Sequence, residues 1–116
     1  MQVVRITMGI SMVVLASTTR LSAQADAGRD GYKEECKSCH GINGVPPERA
    51  VQQYPKIKAL GLNGFVSALS EDSIVTILKK GIDKDMKSFS SKLSEAEMTA
   101  VAKYIKALAS RRKDNP

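Results

Sequence analysis

The run Cys36-Lys37-Ser38-Cys39-His40 constrains the fold of this chain more than any other segment. It contains both cysteines and the only histidine of the 116 residues. Two thiols three positions apart can each add to one vinyl group of a haem, while the next residue places its imidazole under the iron. The run therefore predicts one covalently attached haem c, bound through Cys36 and Cys39 with His40 as an axial ligand. A chain that carries so large and flat an apolar group has to fold around it.

Other interpretations of the same residues are weaker. A structural zinc site needs about four N or S ligands, whereas Cys36, Cys39 and His40 supply three. A thioredoxin-like pair of cysteines would accompany alternating strands and helices, and the pattern here is helical. A disulfide between Cys36 and Cys39 would close too small a loop to stabilise the chain much. A redox dithiol and a metal site remain the minority alternatives.

Residues 1–25 have the pattern of a secretory signal. Arg5 forms a positive n-region, residues 6–16 are apolar or small, and Ala23-Gln24-Ala25 is a small-x-small cleavage site. Val14-Leu15-Ala16 offers a second such site. The apolar stretch of 11 residues is well short of the roughly 20 that a membrane-spanning helix needs. We expect a periplasmic protein with no permanent membrane span and a single mature domain, residues 26–116.

The size and charge of that domain limit its function. Cleavage would leave 91 of the 116 residues, so the core is marginal without the haem. Loss of Arg5 and Arg20 lowers the formal net charge from +6 to +4. This charge suits an acidic protein surface. The basic residues are spread rather than striped and lack interleaved aromatics, so we expect no binding to nucleic acid.

Apolar periodicity predicts an all-α domain with three main helices. The first spans residues 26–37, and the second begins at Ser70 and ends before Gly81. The third begins with a capping box at residues 94–97. It carries an apolar stripe, namely Met98, Val101, Ala102, Ile105, Leu108 and Ala109. Residues 41–64 and 82–93 are predicted to be loops with at most short turns.

The second axial position of the iron requires a ligand other than histidine, or it stays vacant. Met86 and Met98 are the two methionines outside the predicted signal. Met98 lies on the apolar stripe, where a methionine is an ordinary core residue. Met86 lies among charged and polar residues, where a lone thioether makes sense if it points inward at a metal. Thioether ligation favours reduced iron and raises the reduction potential.

Residues 26–113 resemble the class I c-type cytochromes, in particular the short soluble bacterial ones. Besides the haem-attachment run, Gly28 and Tyr32 precede the first cysteine by eight and four positions, as in that family. The resemblance implies that they pack against an aliphatic and an aromatic residue of the last helix, here Val101 and Tyr104. It also implies a small cytochrome c-like helical domain wrapped around one covalently attached haem.

The resemblance extends to a segment after the haem-attachment run. Pro55-x-Ile57 is similar to the family's Pro-x-Leu segment, in which the proline carbonyl accepts a hydrogen bond from the axial histidine. Such a bond orients the imidazole and strengthens its donation to iron. Pro46 and Pro47 are alternative acceptors nearer in sequence. Pro55 and Ile57 are therefore predicted to be cofactor-binding residues.

A second segment resembles the family's ligand loop. Gly81, Met86 and Phe89 have the spacing of that loop, which implies Met86 as the second axial ligand and Phe89 as a cofactor-binding residue. The family usually has proline after the methionine, and this chain has Lys87. The substitution predicts a less rigid loop.

The resemblance implies a one-electron carrier rather than an enzyme, shuttling between a donor enzyme or respiratory complex and an acceptor. Alternatives are a dedicated cytochrome subunit of a periplasmic dehydrogenase, or a five-coordinate haem sensor or peroxidase-like protein if Met86 does not bind. We expect a monomer or a subunit of such a dehydrogenase. Six lysines lie near the predicted haem-covering segments and form either a docking surface for acidic redox partners or an ordinary solvated set: Lys56, Lys58, Lys79, Lys80, Lys84 and Lys87.

Overall fold

A computed structural model describes residues 16–61 and 64–111 of the chain. These residues form the helices α1 (Ala16–Glu35), α2 (Lys37–His40), α3 (Glu48–Gln53), α4 (Gly64–Ala68), α5 (Glu71–Lys80) and α6 (Glu95–Arg111). The described ranges contain no strand, only an isolated antiparallel bridge between Ile82 and Met86. The all-α prediction is confirmed.

The first helix begins earlier than predicted. Residues 16–25, assigned from the sequence to the signal, form the first half of α1, and residues 1–15 lie outside the described residues. Side chains 20–27 are exposed, and burial begins at Gly28. Between residues 20 and 35, the buried part of α1 is therefore the part that cleavage after Ala25 would leave. Leu21, Gln24 and Ala25 are exposed and line a groove with α6. The cleavage itself stays a prediction.

Helix α5 begins and ends where the sequence predicts, and α6 begins where it predicts. The Ser70 hydroxyl accepts a hydrogen bond from the Ser73 N–H at 3.1 Å, and Gly81 ends α5 with φ +73°. At the start of α6, the Glu97 N–H donates to the Ser94 hydroxyl at 3.1 Å, and the Ser94 N–H donates to the Glu97 carboxylate at 2.6 Å. These local bonds satisfy N–H groups that no helical carbonyl reaches.

Two short helices lie within or beside a segment predicted as loop. Pro47 precedes α3, and its carbonyl accepts from the N–H groups of Ala50 and Val51. A proline at this position costs nothing, because the first N–H groups of a helix have no partner in the helix. The other helix is α4, and carbonyls at its C-terminal end accept hydrogen bonds from α6. The Lys106 ammonium donates to the carbonyls of Ser67 and Leu69 at 3.2 and 2.6 Å.

Helix α6 is the centre of the core and packs against α1, α4 and α5. Every residue of its predicted apolar stripe is buried. Tyr32, Val66, Leu78 and Val101 are the largest side chains that are completely enclosed. One apolar core therefore joins the beginning, the middle and the end of the described chain.

The contact between α1 and α6 is close because glycines line it. A Cβ on Gly28 would meet the Ala100 carbonyl oxygen, and one on Gly31 would lie 2.9 Å from a methyl of Val101. The rings of Tyr32 and Tyr104 pack with centroids 5.2 Å apart and planes tilted by 47°. The predicted packing of the first helix against Val101 and Tyr104 is confirmed.

Replacement of Gly28 by alanine is expected to lower the free energy of unfolding by about 1–3 kcal/mol, the usual cost of overpacking. The added methyl meets the backbone of α6, which cannot move without shifting the helix. The better helix propensity of alanine, worth roughly 1 kcal/mol, offsets only part of this. Chemical denaturation followed by circular dichroism measures the change. Gly31→Ala is the comparison, because its methyl would overlap one side-chain methyl of Val101, and by less than the Gly28 variant overlaps the Ala100 backbone. The loss should be smaller there, and equal losses for both variants would contradict the prediction.

Candidate haem site

The haem-attachment run lies at the junction of α1 and α2. The Cys36 N–H donates to the Tyr32 carbonyl of α1 at 2.9 Å, and the Cys36 carbonyl accepts from the His40 N–H at 2.9 Å. Cys36, Cys39 and His40 are thus held within about one turn of helix, in which residues three and four apart are neighbours. The two cysteines do not form a disulfide with each other. The local fold places the three predicted attachment residues together.

The two thiols have different surroundings. Cys36 is only 6% exposed and belongs to the apolar core, whereas Cys39 is half-buried. Burial, reinforced by the nearby Glu35 and Cys39, raises the pKa of the Cys36 thiol to about 12. Because the thiolate is the reactive form, Cys36 in this folded chain is a poor nucleophile.

The imidazole of His40 is fixed by a backbone carbonyl. Its Nδ1 lies 3.3 Å from the carbonyl oxygen of Lys58. A carbonyl oxygen only accepts, so Nδ1 carries the proton and Nε2 is left with its lone pair. Burial lowers the pKa of His40, and the hydrogen bond to Lys58 partly opposes this effect. The neutral ring with an available Nε2 is the form that binds a metal.

This hydrogen bond corrects the predicted role of Pro55. Pro55 is exposed and lies in a turn that the Ile57 N–H closes by donating to the Tyr54 carbonyl at 2.9 Å. The backbone comes close to the His40 ring only after this turn. The acceptor is therefore the carbonyl of Lys58, three residues after Pro55. Pro47 is not the acceptor either, because its carbonyl starts α3. Ile57 is half-buried.

Two loop segments bring the Lys58 carbonyl to His40. The Gly44 carbonyl accepts hydrogen bonds from the N–H groups of Leu60 and Gly61 at 2.7 and 3.0 Å. Gly44 has φ +76°, and a Cβ there would lie 2.5 Å from the Gly61 nitrogen. Only glycine allows both this backbone conformation and this approach. The loop after His40 is thereby joined to the segment that holds its ring.

Hydrogen bonds hold the predicted ligand loop together and attach it to α5. Ile82 and Met86 exchange two backbone hydrogen bonds, at 2.7 and 3.1 Å. The hydroxyls of Ser88 and Ser90 both donate to the Lys79 carbonyl, at 2.5 and 3.2 Å. Met86 and Phe89 are half-buried and pack against the core that includes Cys36. Met98 is 3% exposed within the core, in agreement with a packing role.

The apolar surface around these segments suits a large flat cofactor. Ile42 and Val45, in the loop after His40, are 53% and 38% exposed, and Val51 on α3 is 46% exposed. Ile82, beside the ligand loop, is 50% exposed. These side chains are apolar surface that a ligand bound at the neighbouring motif would cover. The donor set and this surface both fit a haem held by Cys36, Cys39 and His40.

Other kinds of site find less support in the described ranges. Between residues 16 and 111, apart from residues 62 and 63, no three His, Cys, Asp or Glu side chains gather around one point, as a zinc site would require. In the same part of the chain, no helix combines the length and apolar character needed to cross a membrane.

Comparisons with known proteins identify the class. Residues 23–105 match the family described as cytochrome c oxidase, cbb3-type, subunit III. Among solved structures, the KustC0563 c-type cytochrome has a similar fold, with a TM-score of 0.62 and 22% identity over 70% of this chain and 95% of that chain. No curated protein matches the chain.

The chain belongs to this cytochrome family, because the family match spans well over half of its length. It is a small c-type cytochrome, a haem-based electron-transfer protein rather than an enzyme. The family implies haem c as the cofactor. The resemblance inferred from the haem-attachment run and the terminal helices is therefore confirmed.

Sequence reasoning missed the hydrogen bonds that backbone carbonyls accept from side chains near the site. Lys58 contributes a carbonyl to His40, so its side-chain identity carries no signal. Ser88 and Ser90 did leave a signal, since serines just after a helix often satisfy its last carbonyls. Their spacing alone could not reveal that both reach Lys79.

Ser88→Ala with Ser90→Ala removes three hydrogen bonds, two to the Lys79 carbonyl and one from the Ser90 N–H to the Ser88 hydroxyl. We expect the free energy of unfolding to fall by about 1–3 kcal/mol, because each is an ordinary hydrogen bond at the surface. With Met86 as the iron ligand, as proposed below, the variant should also weaken the thioether-to-iron absorption band. The segment after Met86 would keep the bond from the Phe89 N–H to the Leu78 carbonyl but lose both bonds to Lys79. Ser91→Ala is the control, since the Ser91 hydroxyl makes no hydrogen bond to the described residues. The prediction is contradicted if the double variant behaves like this control.

Proposed function

We propose that this cytochrome is a periplasmic one-electron carrier with one haem, whose iron is bound by His40 and Met86. The observation that carries the proposal is the His40 ring, fixed through Nδ1 by the Lys58 carbonyl, one helical turn from the Cys36 thiol. When bound, the haem supplies the redox centre that takes up and releases an electron. The protein supplies attachment, ligand orientation and an apolar surrounding.

The chain's own residues divide these tasks. Cys36 and Cys39 hold the haem covalently at the end of α1. His40 donates from Nε2, and the carbonyl that accepts from its Nδ1–H strengthens this donation. Met86 supplies a soft thioether that favours reduced iron and raises the potential. If His40 and Met86 both bound the iron, no position would stay open for a substrate, and the protein would transfer electrons rather than act as a sensor or a peroxidase.

Attachment of the haem in this proposal precedes final folding. In the folded chain Cys36 is almost fully enclosed and its thiol stays protonated. Reaction at its sulfur therefore requires a chain in which α1 has not yet closed against α6. An exported chain that receives its haem before folding meets this requirement, which agrees with a periplasmic location and with the predicted signal at residues 1–25.

The exposed lysines support a docking surface for acidic redox partners. Lys79 forms an ion pair with Glu95 at 2.8 Å, whereas five other lysines are exposed: Lys56, Lys58, Lys80, Lys84 and Lys87. Such positive charge speeds encounter with an acidic partner.

A second candidate function is that of a permanent subunit of a respiratory complex or dehydrogenase, favoured by the oxidase subunit named in the family description. Gel filtration of native extract separates them, because a subunit elutes with its enzyme.

The intact mass of the periplasmic protein tests the cofactor. We expect the mass of the chain from residue 26 plus one haem, because Cys36 and Cys39 each form a thioether. Cys39→Ala should keep the haem through one bond, and the Cys36→Ala, Cys39→Ala double variant should lose it on denaturation. A wild-type mass that corresponds to two free thiols or to a disulfide without haem would falsify the proposal.

Replacement of the proposed thioether ligand tests the second axial position. Met86→Ala is expected to give high-spin or ligand-exchanged iron and a markedly lower reduction potential, because the soft ligand is lost. Met98→Leu should leave the spectrum unchanged and lower the free energy of unfolding by less than about 1.5 kcal/mol, as a volume-conserving core change. Optical spectra and potentiometric titration measure both. The opposite pattern would assign the ligand to Met98.

A further inference from the structure

Tyr32 is a buried polar residue whose hydroxyl has no part in the function described so far. Its side chain is 0% exposed. The ring packs on Tyr104 of α6, and the hydroxyl donates to the carbonyl of Gly41 at 2.7 Å. A phenylalanine would fill the same apolar space without a polar group to satisfy. The hydroxyl therefore has a partner that packing alone does not require.

The acceptor of this bond is the carbonyl of Gly41, the residue that directly follows His40. The Gly41 carbonyl also accepts from the Gly44 N–H at 3.2 Å, and the Gly41 N–H donates to the Lys37 carbonyl at 2.8 Å. These two bonds are local and join backbone to backbone. In the described part of the chain, Tyr32 is the one side chain that holds this peptide, and it does so from the core between α1 and α6.

We propose that the Tyr32 hydroxyl is a positioning group for the axial ligand His40. It fixes the backbone that leaves His40, while the Lys58 carbonyl fixes the ring. The two anchors together set the direction in which Nε2 points and the plane of the imidazole. This inference rests on the proposed function, in which His40 binds the iron.

The position of Tyr32 also explains how the terminal helices affect the cofactor. The ring is enclosed where α1 crosses α6, and the hydroxyl extends from that crossing to the end of α2. A change in the packing of α1 against α6 therefore moves the Gly41 peptide and with it His40. Removal of groups that orient a metal-bound histidine typically costs 10–100-fold in metal affinity or activity, so the loss of this anchor has a measurable effect.

Tyr32→Phe and Tyr104→Phe are a matched pair of variants for the test. Each removes one hydroxyl and keeps the ring, but the Tyr104 hydroxyl makes no hydrogen bond to the described residues. Both are prepared as full-length, haem-loaded protein. The readouts are the proton NMR shifts of the four haem methyls in the oxidised protein, which depend on the orientation of the axial ligand planes, and the reduction potential.

The proposal expects Tyr32→Phe to change the spread of the haem-methyl shifts and to alter the potential, with the ring contact and cooperative unfolding retained. Tyr104→Phe should have the wild-type shifts. Identical shifts and potentials in wild type and Tyr32→Phe would overturn the positioning role. Equal changes in both variants would also overturn it, by assigning the effect to the aromatic pair. Wild-type haem that lacks histidine ligation would instead overturn the proposed function itself, and the wild-type spectrum alone reveals this outcome.

Discussion

The close approach of α1 to the backbone of α6 is the contact on which the rest of the structure depends. Gly28 allows it, since any side chain there would meet the Ala100 carbonyl. This approach encloses Tyr32 and places Cys36 at the end of a helix already anchored in the core. The haem-attachment run thus begins from a fixed point, and the orientation of α2 follows from the crossing of the terminal helices.

The apolar residues between α1 and α6 are well buried, whereas several near the haem-attachment run are exposed. The α1–α6 side holds completely enclosed residues such as Val101, whereas Ile42, Val45 and Val51 near the haem-attachment run stay exposed. A domain of this size buries only a small apolar core. The proposed haem would cover these side chains and complete the core from the second side.

The sequence was sufficient for features determined by local chemistry. The haem-attachment run, the caps at Ser70 and Ser94 and the buried stripe of α6 depend on residues within a few positions of one another. The acceptor for His40 was assigned to Pro55 and is Lys58. Which carbonyl reaches His40 depends on where the turn at residues 54–57 ends. Every residue has a backbone carbonyl, so the residue type does not identify the acceptor. Such contacts are decided by the path of the chain, so side-chain patterns could not identify them.

The ligand loop shows how one restraint can be replaced by others. Lys87 stands where the resembled family usually has proline, which suggested a looser loop. The described loop instead has a reciprocal backbone pair between Ile82 and Met86, and two serine hydroxyls on one carbonyl of α5. Proline restrains a loop mainly by limiting the unfolded chain, whereas these bonds act in the folded state. The Phe89 N–H also donates to the carbonyl of the buried Leu78 at 2.8 Å. The loop can therefore be ordered around Met86 without a proline, although the two serine bonds lie at the surface, where water competes.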